Sequence, residues 1–273
     1  MGFSYPQWVG PFYPRGLKPV DRLRFYVSQF DTVELDTTFH AAPDAHRVTR
    51  WRDAVHDDFR FTIKTPRGVT HDASPGSPAS ILAMRRFLDV CRRFDHKLGV
   101  VLIQFPPSLD ATNADGVRRL IDALPTDIRF ATEFRHTSWR GVMTEVLRQH
   151  RLALVCAEYA AAPQTPVATT DFLYVRWIGE HERFPAMDHE EIDPSARLLW
   201  WRDQLGMFKV DRVWGFFNND YAGYSIATCR RFQRLIGLAP SLRPDWSPEP
   251  RGLFDPAPSP SVAGDVPPTV AES

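Results

Sequence analysis

The sequence has few cysteines and no paired cysteine motif. Its three cysteines, Cys91, Cys156 and Cys229, are odd in number and widely spaced, and no CxxC pair occurs. Neither a disulfide framework nor a cysteine zinc site is indicated, and a reducing compartment fits the chain best. The first eight residues have no basic region followed by an apolar stretch, and eighteen consecutive apolar residues occur nowhere. We therefore expect a cytoplasmic protein that does not enter a membrane.

The chain also lacks an excess of charge of either sign. Lys plus Arg and Asp plus Glu both number 33, so the formal net charge is zero. No basic run of five or more residues supports a nucleic-acid-binding arm or a membrane-binding patch. The 273 residues, 43% hydrophobic, suffice for one large α/β domain or two small ones. A small-molecule substrate or ligand is thus the expected partner.

Short apolar runs recur along the chain and predict seven strands, because they are rich in β-branched and aromatic residues. The predicted strands are residues 32–35, 59–65, 99–105, 130–134, 153–158, 172–177 and 212–217. Amphipathic helical spacing predicts helices at 19–30, 44–55, 80–94, 114–124, 139–150, 194–208 and 222–235. Between residues 159 and 171, two prolines interrupt the chain, and we expect a loop or a single turn.

The alternation of strands and helices predicts an α/β fold of parallel βαβ units, arranged as a TIM-type barrel. Eight such units would close the barrel, but only seven strands are visible. The helix at 19–30 follows a loop, so the first strand is missing from the pattern. Residues 239–273 hold nine of the 24 prolines and predict a disordered tail after a barrel domain of residues 1–238.

Polar side chains follow the ends of these strands, where barrel enzymes carry their active sites. They are Glu34, Asp36, Lys64, Gln104, Glu133, Arg135, Glu158, Arg176, Asn218, Asn219 and Asp220. Because residues two apart in a strand share a face, Glu34 is expected to point inward with Asp36, and Glu133 with Arg135. The sequence therefore predicts a carboxylate side of the site beside a cationic side formed by Lys64, Arg135 and Arg176.

The acidic residues allow catalytic and structural interpretations. Glu34 and Glu133 are candidate catalytic acid/base groups, and with Asp36 they are hypothetical ligands of a divalent metal ion. Alternatively, Glu133 and Arg135 form an ion pair in a polar barrel layer. Glu34 and Asp36 could likewise only order a neighbouring loop. Lys64 is an anion anchor, or a nucleophile if burial lowers its pKa.

The histidines and the last polar cluster are equally open. His71 and His136 lie just past strand ends, with His40 close by, and are candidates for a catalytic base or metal ligand, or for loop ordering. No His-Glu-x-x-His motif occurs, so a metal site would depend on folding to assemble it. At least one of Asn218, Asn219 and Asp220 should cap the following helix, and a second could bind substrate phosphate. Gln104 is a further candidate for substrate binding.

Aromatic residues are dense in the loops of the same face. They are Tyr5, Trp8, Phe12, Tyr13, Phe39, Phe105 and Trp139. Such rings suit stacking on a sugar or a base, with Trp8 a candidate substrate contact, or they simply pack the loops.

Several motifs resemble the YecE-like family, catalogued as domain of unknown function 72. They include FSYPQW from residue 3, FDTVELDTTF from residue 30, DFRF from residue 58, EFRHTSW from residue 133 and FNND from residue 217. The resemblance extends from about residue 3 to residue 236. It implies a TIM-type barrel and leaves the activity open.

The chain also differs from the pattern of that family. Its members begin with a short apolar strand and a Gly-Thr-Ser-Gly-like turn, and Met1 lies within that segment. Either an upstream start codon supplies the first strand, or the chain begins at Met1 and the second and eighth strands keep unpaired edges. His40 stands where the family usually has Tyr, and Asp36 where it usually has Asn, so the pocket would be altered.

Three functions are compatible with these residues. We favour a hydrolase or isomerase acting on a small polar substrate, phosphorylated or carbohydrate-like, with Glu133 and Glu34 as acid/base groups and the cations binding anionic oxygens. In a glycosidase variant, Glu133 would pair with Glu158 or with Glu34. The alternatives are a metal-dependent nuclease or phosphoesterase, and a non-catalytic module that binds a metabolite.

Overall fold

The computed structural model describes residues 1–159, 162–163 and 165–238; the predicted tail, residues 239–273, lies outside the described residues. Seven parallel strands form a nearly closed barrel with alternating helices, as predicted. They are β1 (Thr32–Leu35), β2 (Arg60–Lys64), β3 (Leu98–Phe105), β4 (Phe130–Phe134), β5 (Ala153–Tyr159), β7 (Phe172–Gly179) and β8 (Arg212–Phe217), paired in that order. A two-residue strand, β6 (Ala162–Pro163), pairs antiparallel with β5.

Helices cover the outside of the sheet. They are α1 (Arg22–Val27), α2 (Ala45–Asp53), α3 (Arg67–Thr70), α4 (Pro78–Cys91), α5 (Ala114–Asp122), α6 (Thr144–Gln149), α7 (Ser195–Gly206) and α8 (Ser225–Leu235). Side-chain caps fix where two of them begin. The Asp44 carboxylate accepts the Arg47 N–H at 2.7 Å at the start of α2, and Ser77 accepts the Ser80 N–H at 3.2 Å at the start of α4. Among the described residues, no helix is long and apolar enough to cross a membrane.

Several predicted elements differ from the observed ones, most clearly in three places. The helix predicted at 139–150 begins only at Thr144, because the chain first makes a 3-10 turn at Thr137–Trp139 and then a left-handed residue, Gly141, with φ 78°. The helix predicted at 80–94 ends at Cys91, where a 3-10 turn takes over. In the predicted loop between residues 159 and 171, the described part contains β6, which the two prolines had hidden from sequence inspection.

Alternation along the strands separates two layers of core. Side chains such as Val33, Ile63 and Ile103 pack outward against the helices, in a large cluster that also contains Trp8, Phe12 and Tyr13. Leu102, Ala131, Val155, Ala157, Tyr174 and Phe216 pack inward and fill the barrel. Several of the polar residues at strand ends share this inward parity, namely Glu34, Lys64, Gln104, Glu133 and Arg176, so the packing that builds the barrel also aims them at its interior.

The wall of the barrel is open between β8 and β1. In the described chain no ladder joins these strands, and a mostly apolar cavity of about 680 Å³ lies between them. At the carboxyl end of this seam, the Met1 amino group donates to the Phe217 carbonyl at 2.6 Å, and the Gly2 N–H donates to the Glu34 carbonyl at 2.8 Å. The predicted gap is therefore present, and Met1 and Gly2 bridge its edges at one end.

Candidate functional site

One buried arginine joins two carboxylates inside the barrel. Arg176 of β7 donates from Nη1 to Glu133 Oε2 at 2.5 Å, from Nη2 to Glu34 Oε1 at 2.7 Å and from Nε to Glu34 Oε2 at 3.0 Å. All three side chains are at most 4% exposed. We call this group of Glu34, Glu133 and Arg176 the clamp. It ties together β1, β4 and β7, which are distant in the chain.

Further donors complete the bonding of both carboxylates. The Tyr174 hydroxyl donates to Glu34 Oε2 at 2.7 Å. On the other side, Glu133 Oε1 accepts from Gln104 Nε2 at 2.8 Å, from Arg135 Nε at 3.2 Å and from the Tyr159 hydroxyl. Hydrogen bonds from several donors stabilise a buried carboxylate in its ionised form. The predicted polar residues of β1, β3, β4 and β7 are thus brought together.

The electrostatics of the clamp fix its protonation state. Burial disfavours the charged form of Glu133, but Arg176 and Arg135 outweigh it and lower the pKa of this carboxyl to about 2. Burial also opposes the charge of Arg176, whose pKa is nevertheless raised well above its ordinary value by Glu34 and Glu133. At neutral pH Glu133 is therefore an anion, and in this arrangement it is poorly suited to donate a proton as a general acid.

The clamp does not resemble a metal centre. Among the described residues, no three His, Cys, Asp or Glu side chains are grouped so that they could hold a metal ion. The guanidinium of Arg176 occupies the position between Glu34 and Glu133 in which a cation would lie. Asp36, the third hypothetical ligand, instead lies where its charge acts on Met1 and Tyr5.

A second group of side chains lies beside the clamp and is partly open to solvent. Lys64 ends β2 with its Nζ 4.0 Å from the centre of the Phe39 ring. His71 packs edge-on against the same ring, with centroids 4.7 Å apart, and its Nδ1 lies 2.7 Å from the Thr70 hydroxyl. Arg135 is exposed and extends over the Tyr159 ring at 5.4 Å. We call Phe39, Lys64, His71 and Arg135 the open group.

The charges of the open group disfavour protonation. Burial lowers the pKa of Lys64 to about 8, and the positive charges of Arg176 and Arg135 act in the same direction against the attraction of Glu133. The pKa of His71 is also lowered, by burial first and then by Lys64 and Arg135. His71 is therefore neutral at physiological pH, which is the state in which an imidazole accepts a proton.

Other predicted site residues have local structural contacts. His136 Nδ1 lies 2.8 Å from the Ser138 hydroxyl and accepts the Ser138 N–H, so it orders the loop after β4. Asn219 Oδ1 accepts the N–H and the hydroxyl of Ser225, at 3.1 and 2.8 Å, and thereby caps α8. Asn218 bonds Asp220 at 3.5 Å, and burial raises the pKa of Asp220.

Trp8 and His40 lie apart from the open group in different ways. Trp8 is 1% exposed and packs in the outer core against Tyr5, Phe12 and Tyr13. His40 is exposed, and its ring packs edge-on against the Phe39 ring with the centroids 5.4 Å apart.

Glu158 is not part of the site, and the glycosidase pairing of Glu133 with Glu158 is wrong for this geometry. Its carboxylate accepts from Arg197 Nε at 3.0 Å and from the Trp201 indole, both on α7, so it faces the helices. The inward residue is its neighbour Tyr159, which sequence inspection missed. Extending the alternation of Val155 and Ala157 by one step would have identified it.

Comparison with known proteins gives consistent results. The sequence model of a family described as "Protein of unknown function DUF72" matches residues 1–252. The chain is 29% identical over 131 residues to UPF0759 protein YecE of Escherichia coli (strain K12), covering 48% of this chain and 47% of that protein. It is 29% identical over 134 residues to UPF0759 protein YunF of Bacillus subtilis (strain 168), covering 46% and 47% respectively. The chain spans about half the length of these two relatives.

Two solved structures are similar to this one. A DUF72 family protein of Thermotoga maritima MSB8 superposes with a TM-score of 0.72 at 28% identity, covering 86% of this chain and 96% of that chain. A DUF72 family protein of Enterococcus faecalis V583 superposes with a TM-score of 0.64 at 21% identity, covering 80% and 94%. The second likeness concerns the fold alone.

Proposed function

The chain belongs to the DUF72 family of proteins of unknown function, and we propose that its barrel binds a small anionic substrate at the carboxyl ends of the strands and acts on it as a hydrolase or isomerase. The observation that supports this proposal is a surplus of positive charge. Lys64, Arg135 and Arg176 contribute three cations, whereas Glu34 and Glu133 contribute two anions. Among these five residues one cation therefore has no matching carboxylate, and it lies on the solvent-facing side of the site.

The unbalanced charge belongs to the open group rather than to the clamp. Arg176 is fully bonded, whereas within the described chain Lys64 makes no ion pair and Arg135 bonds Glu133 only through Nε. The two terminal nitrogens of Arg135 remain available to a ligand, and a guanidinium presents such a pair in the geometry that phosphate or carboxylate oxygens accept. Glu133 holds this guanidinium in place from below.

His71 provides the group that would move a proton. It is neutral at physiological pH and packs on the ring that also carries Lys64 Nζ. A positioned base with a pKa near or below the working pH is effective in proton abstraction from a bound substrate. A metal-dependent nuclease or phosphoesterase has less support, because the carboxylates it would need are bonded to Arg176.

Ligand binding tests this proposal. Titration calorimetry with inorganic phosphate and small phosphorylated sugars should detect binding that weakens about tenfold or more in Lys64→Met and in Arg135→Met, since each removes a charge-assisted contact. Lys209→Met, which changes an exposed lysine outside the site, is the matched control. Equal affinities in all four proteins would disprove an anion site here. Turnover of a bound ligand that is lost in His71→Asn, with binding kept, would separate catalysis from simple ligand binding.

A further inference from the structure

We infer that the Lys64 amine forms an imine with the carbonyl carbon of a small aldehyde or ketone whose phosphate or carboxylate group is held by Arg135. This inference rests on the proposed function, because it uses the same site, and it adds the chemical class of the substrate. It also assigns Lys64 the role of a nucleophile, in addition to its contact with the anionic group.

The position of Lys64 meets the first requirement of a nucleophilic amine, which is access to a ligand without a carboxylate partner. Lys64 is the last residue of β2 and shares the inward parity of Thr62. Its Nζ lies over the Phe39 ring, 4.0 Å from the ring centre, and among the described residues it forms no ion pair with a carboxylate. A carboxylate partner would hold the proton on the amine, whereas an aromatic face holds it far more weakly.

The charges around Lys64 meet the second requirement, a useful fraction of neutral amine. Arg176 and Arg135 repel the ammonium, Glu133 and Glu34 attract it, and His71, the residue after α3, lies close enough for the two charges to interact. With a pKa of about 8, roughly a quarter of the amine is neutral at pH 7.5, whereas an ordinary lysine is neutral in about one molecule in a thousand. Desolvation beside other cations is an established way to activate a lysine.

The other lysines show that this environment is particular to Lys64. The sequence has four lysines, Lys18, Lys64, Lys97 and Lys209, so 29 of its 33 basic residues are arginines. Lys97 is also buried, but its ammonium donates to the Val55 carbonyl at 2.7 Å and pairs with Asp57 at 3.3 Å. That is the bonding of a structural lysine, which Lys64 lacks. Lys18 and Lys209 are exposed.

The reaction balances without an oxidant or reductant. The neutral nitrogen attacks the carbonyl carbon, a C–N bond forms, and the carbonyl oxygen takes up the proton that the nitrogen releases. The C–O bond then breaks and the hydroxyl leaves as water with the second proton of the same nitrogen, so amine and carbonyl give imine and one water. His71 is the nearby group able to carry these protons. The imine withdraws electrons from the adjacent C–H bond and makes it acidic, as an isomerase requires.

Reductive trapping tests the inference on the purified full chain. The protein is incubated with pyruvate or dihydroxyacetone phosphate and cyanoborohydride, and the lysine-containing peptides are analysed by mass spectrometry. Reduction of an imine blocks tryptic cleavage after Lys64, so residues 61–67 should appear as one modified peptide. We expect at least tenfold more adduct on Lys64 than on Lys18 or Lys209, and none at that position in Lys64→Arg. Lactate and glycerol 3-phosphate, which have no carbonyl, should give none.

The outcomes separate this inference from the proposed function. Adduct spread evenly over Lys18, Lys64 and Lys209, or absent from all three, would overturn the imine. If phosphate binding still depends on Arg135 in that case, the proposed function stands without it. If phosphate binding is also independent of Arg135 and Lys64, both proposals fail. A Lys64 adduct whose yield rises with pH around a midpoint near 8 would support the neutral amine as the attacking species.

Discussion

The clamp and the open group occupy the same end of the same barrel, yet they use charge in opposite ways. In the clamp, Arg176 meets both Glu34 and Glu133 and every charged group is buried and bonded. In the open group, Lys64 rests on an aromatic ring and Arg135 keeps two nitrogens unused among the described contacts. A residue type at a strand end therefore does not reveal its role; the number of its partners does.

The two groups also differ in the free-energy cost of burying their charges. Burying three charges is tolerated in the clamp because each one has a counter-charge and further hydrogen bonds. Among the described residues Lys64 forms no ion pair, and its pKa is lowered because burial and the nearby arginines outweigh the attraction of Glu133 and Glu34. A ligand that brings a negative charge, or that removes the proton of the amine by reacting with it, would relieve the unfavourable state. The clamp would not be stabilised by such a ligand in the same way, because its charges already neutralise one another.

The largest expected effect comes from removing the centre of the clamp. Arg176→Met leaves buried Glu34 without a counter-charge and Glu133 with Arg135 alone, and we expect the free energy of unfolding to fall by about 3–5 kcal/mol. Urea denaturation at neutral pH measures this. Lys64→Met is the matched control, which should cost less than about 1 kcal/mol because no bonded partner is lost. Similar losses in the two variants would show that the clamp and the open group do not differ as described.

Protonation of Glu133 at low pH is expected to have an intermediate effect on the free energy of unfolding. The pKa of Glu133 is about 2 in the folded chain against an ordinary value of 4.5, so its stabilisation, about 3 kcal/mol, is complete above pH 4.5 and is lost as the pH falls through 2. Glu133→Gln lacks this contribution at every pH. The difference in unfolding free energy between the parent and this variant should therefore narrow by about 2 kcal/mol from pH 7 to pH 3. A difference that stays constant over this range would contradict the low pKa.

The smallest expected change in stability comes from substituting Glu158, a carboxylate that faces outward, and comparison with Glu133 tests the assignment of the two faces. Glu158→Gln weakens bonds to Arg197 and Trp201 on α7 and should cost about 1 kcal/mol of stability. Phosphate affinity and any turnover should stay at the parent level, because this side chain faces the helices. Glu133→Gln, which loosens Arg135, should weaken phosphate binding. Equal effects of the two substitutions on binding would refute the assignment of faces.

The sequence predicted the barrel and most of the inward residues, since both depend on local patterns. Strand alternation places Glu34, Gln104, Glu133 and Arg176 on the interior with few assumptions. What alternation cannot predict is which inward side chains bond one another across the barrel. Alternation alone makes Arg176 a candidate substrate ligand. In the fold, Arg176 is bonded to Glu34, 142 residues away in the chain.

Two other residues show where the local patterns stop. Tyr159 was missed because it lies one position beyond the predicted strand, although its parity matches that of Ala157. The lowered pKa of Lys64 comes first from burial in the assembled barrel and then from the guanidiniums of Arg176 and Arg135. Desolvation of this kind is a property of the assembled interior, and residue spacing carries no information about it.

The clamp has a mechanical consequence for the open side of the barrel. β1 borders the seam, where among the described residues no ladder joins it to β8, but Arg176 and Tyr174 of β7 reach across the interior and bind Glu34 on β1. The wall is thus interrupted at the seam, but β7 on one side of it and β1 on the other are linked by side-chain bonds through the barrel interior. In the described chain, side chains of the barrel interior thus reinforce a seam that the backbone groups of Met1 and Gly2 bridge at one end.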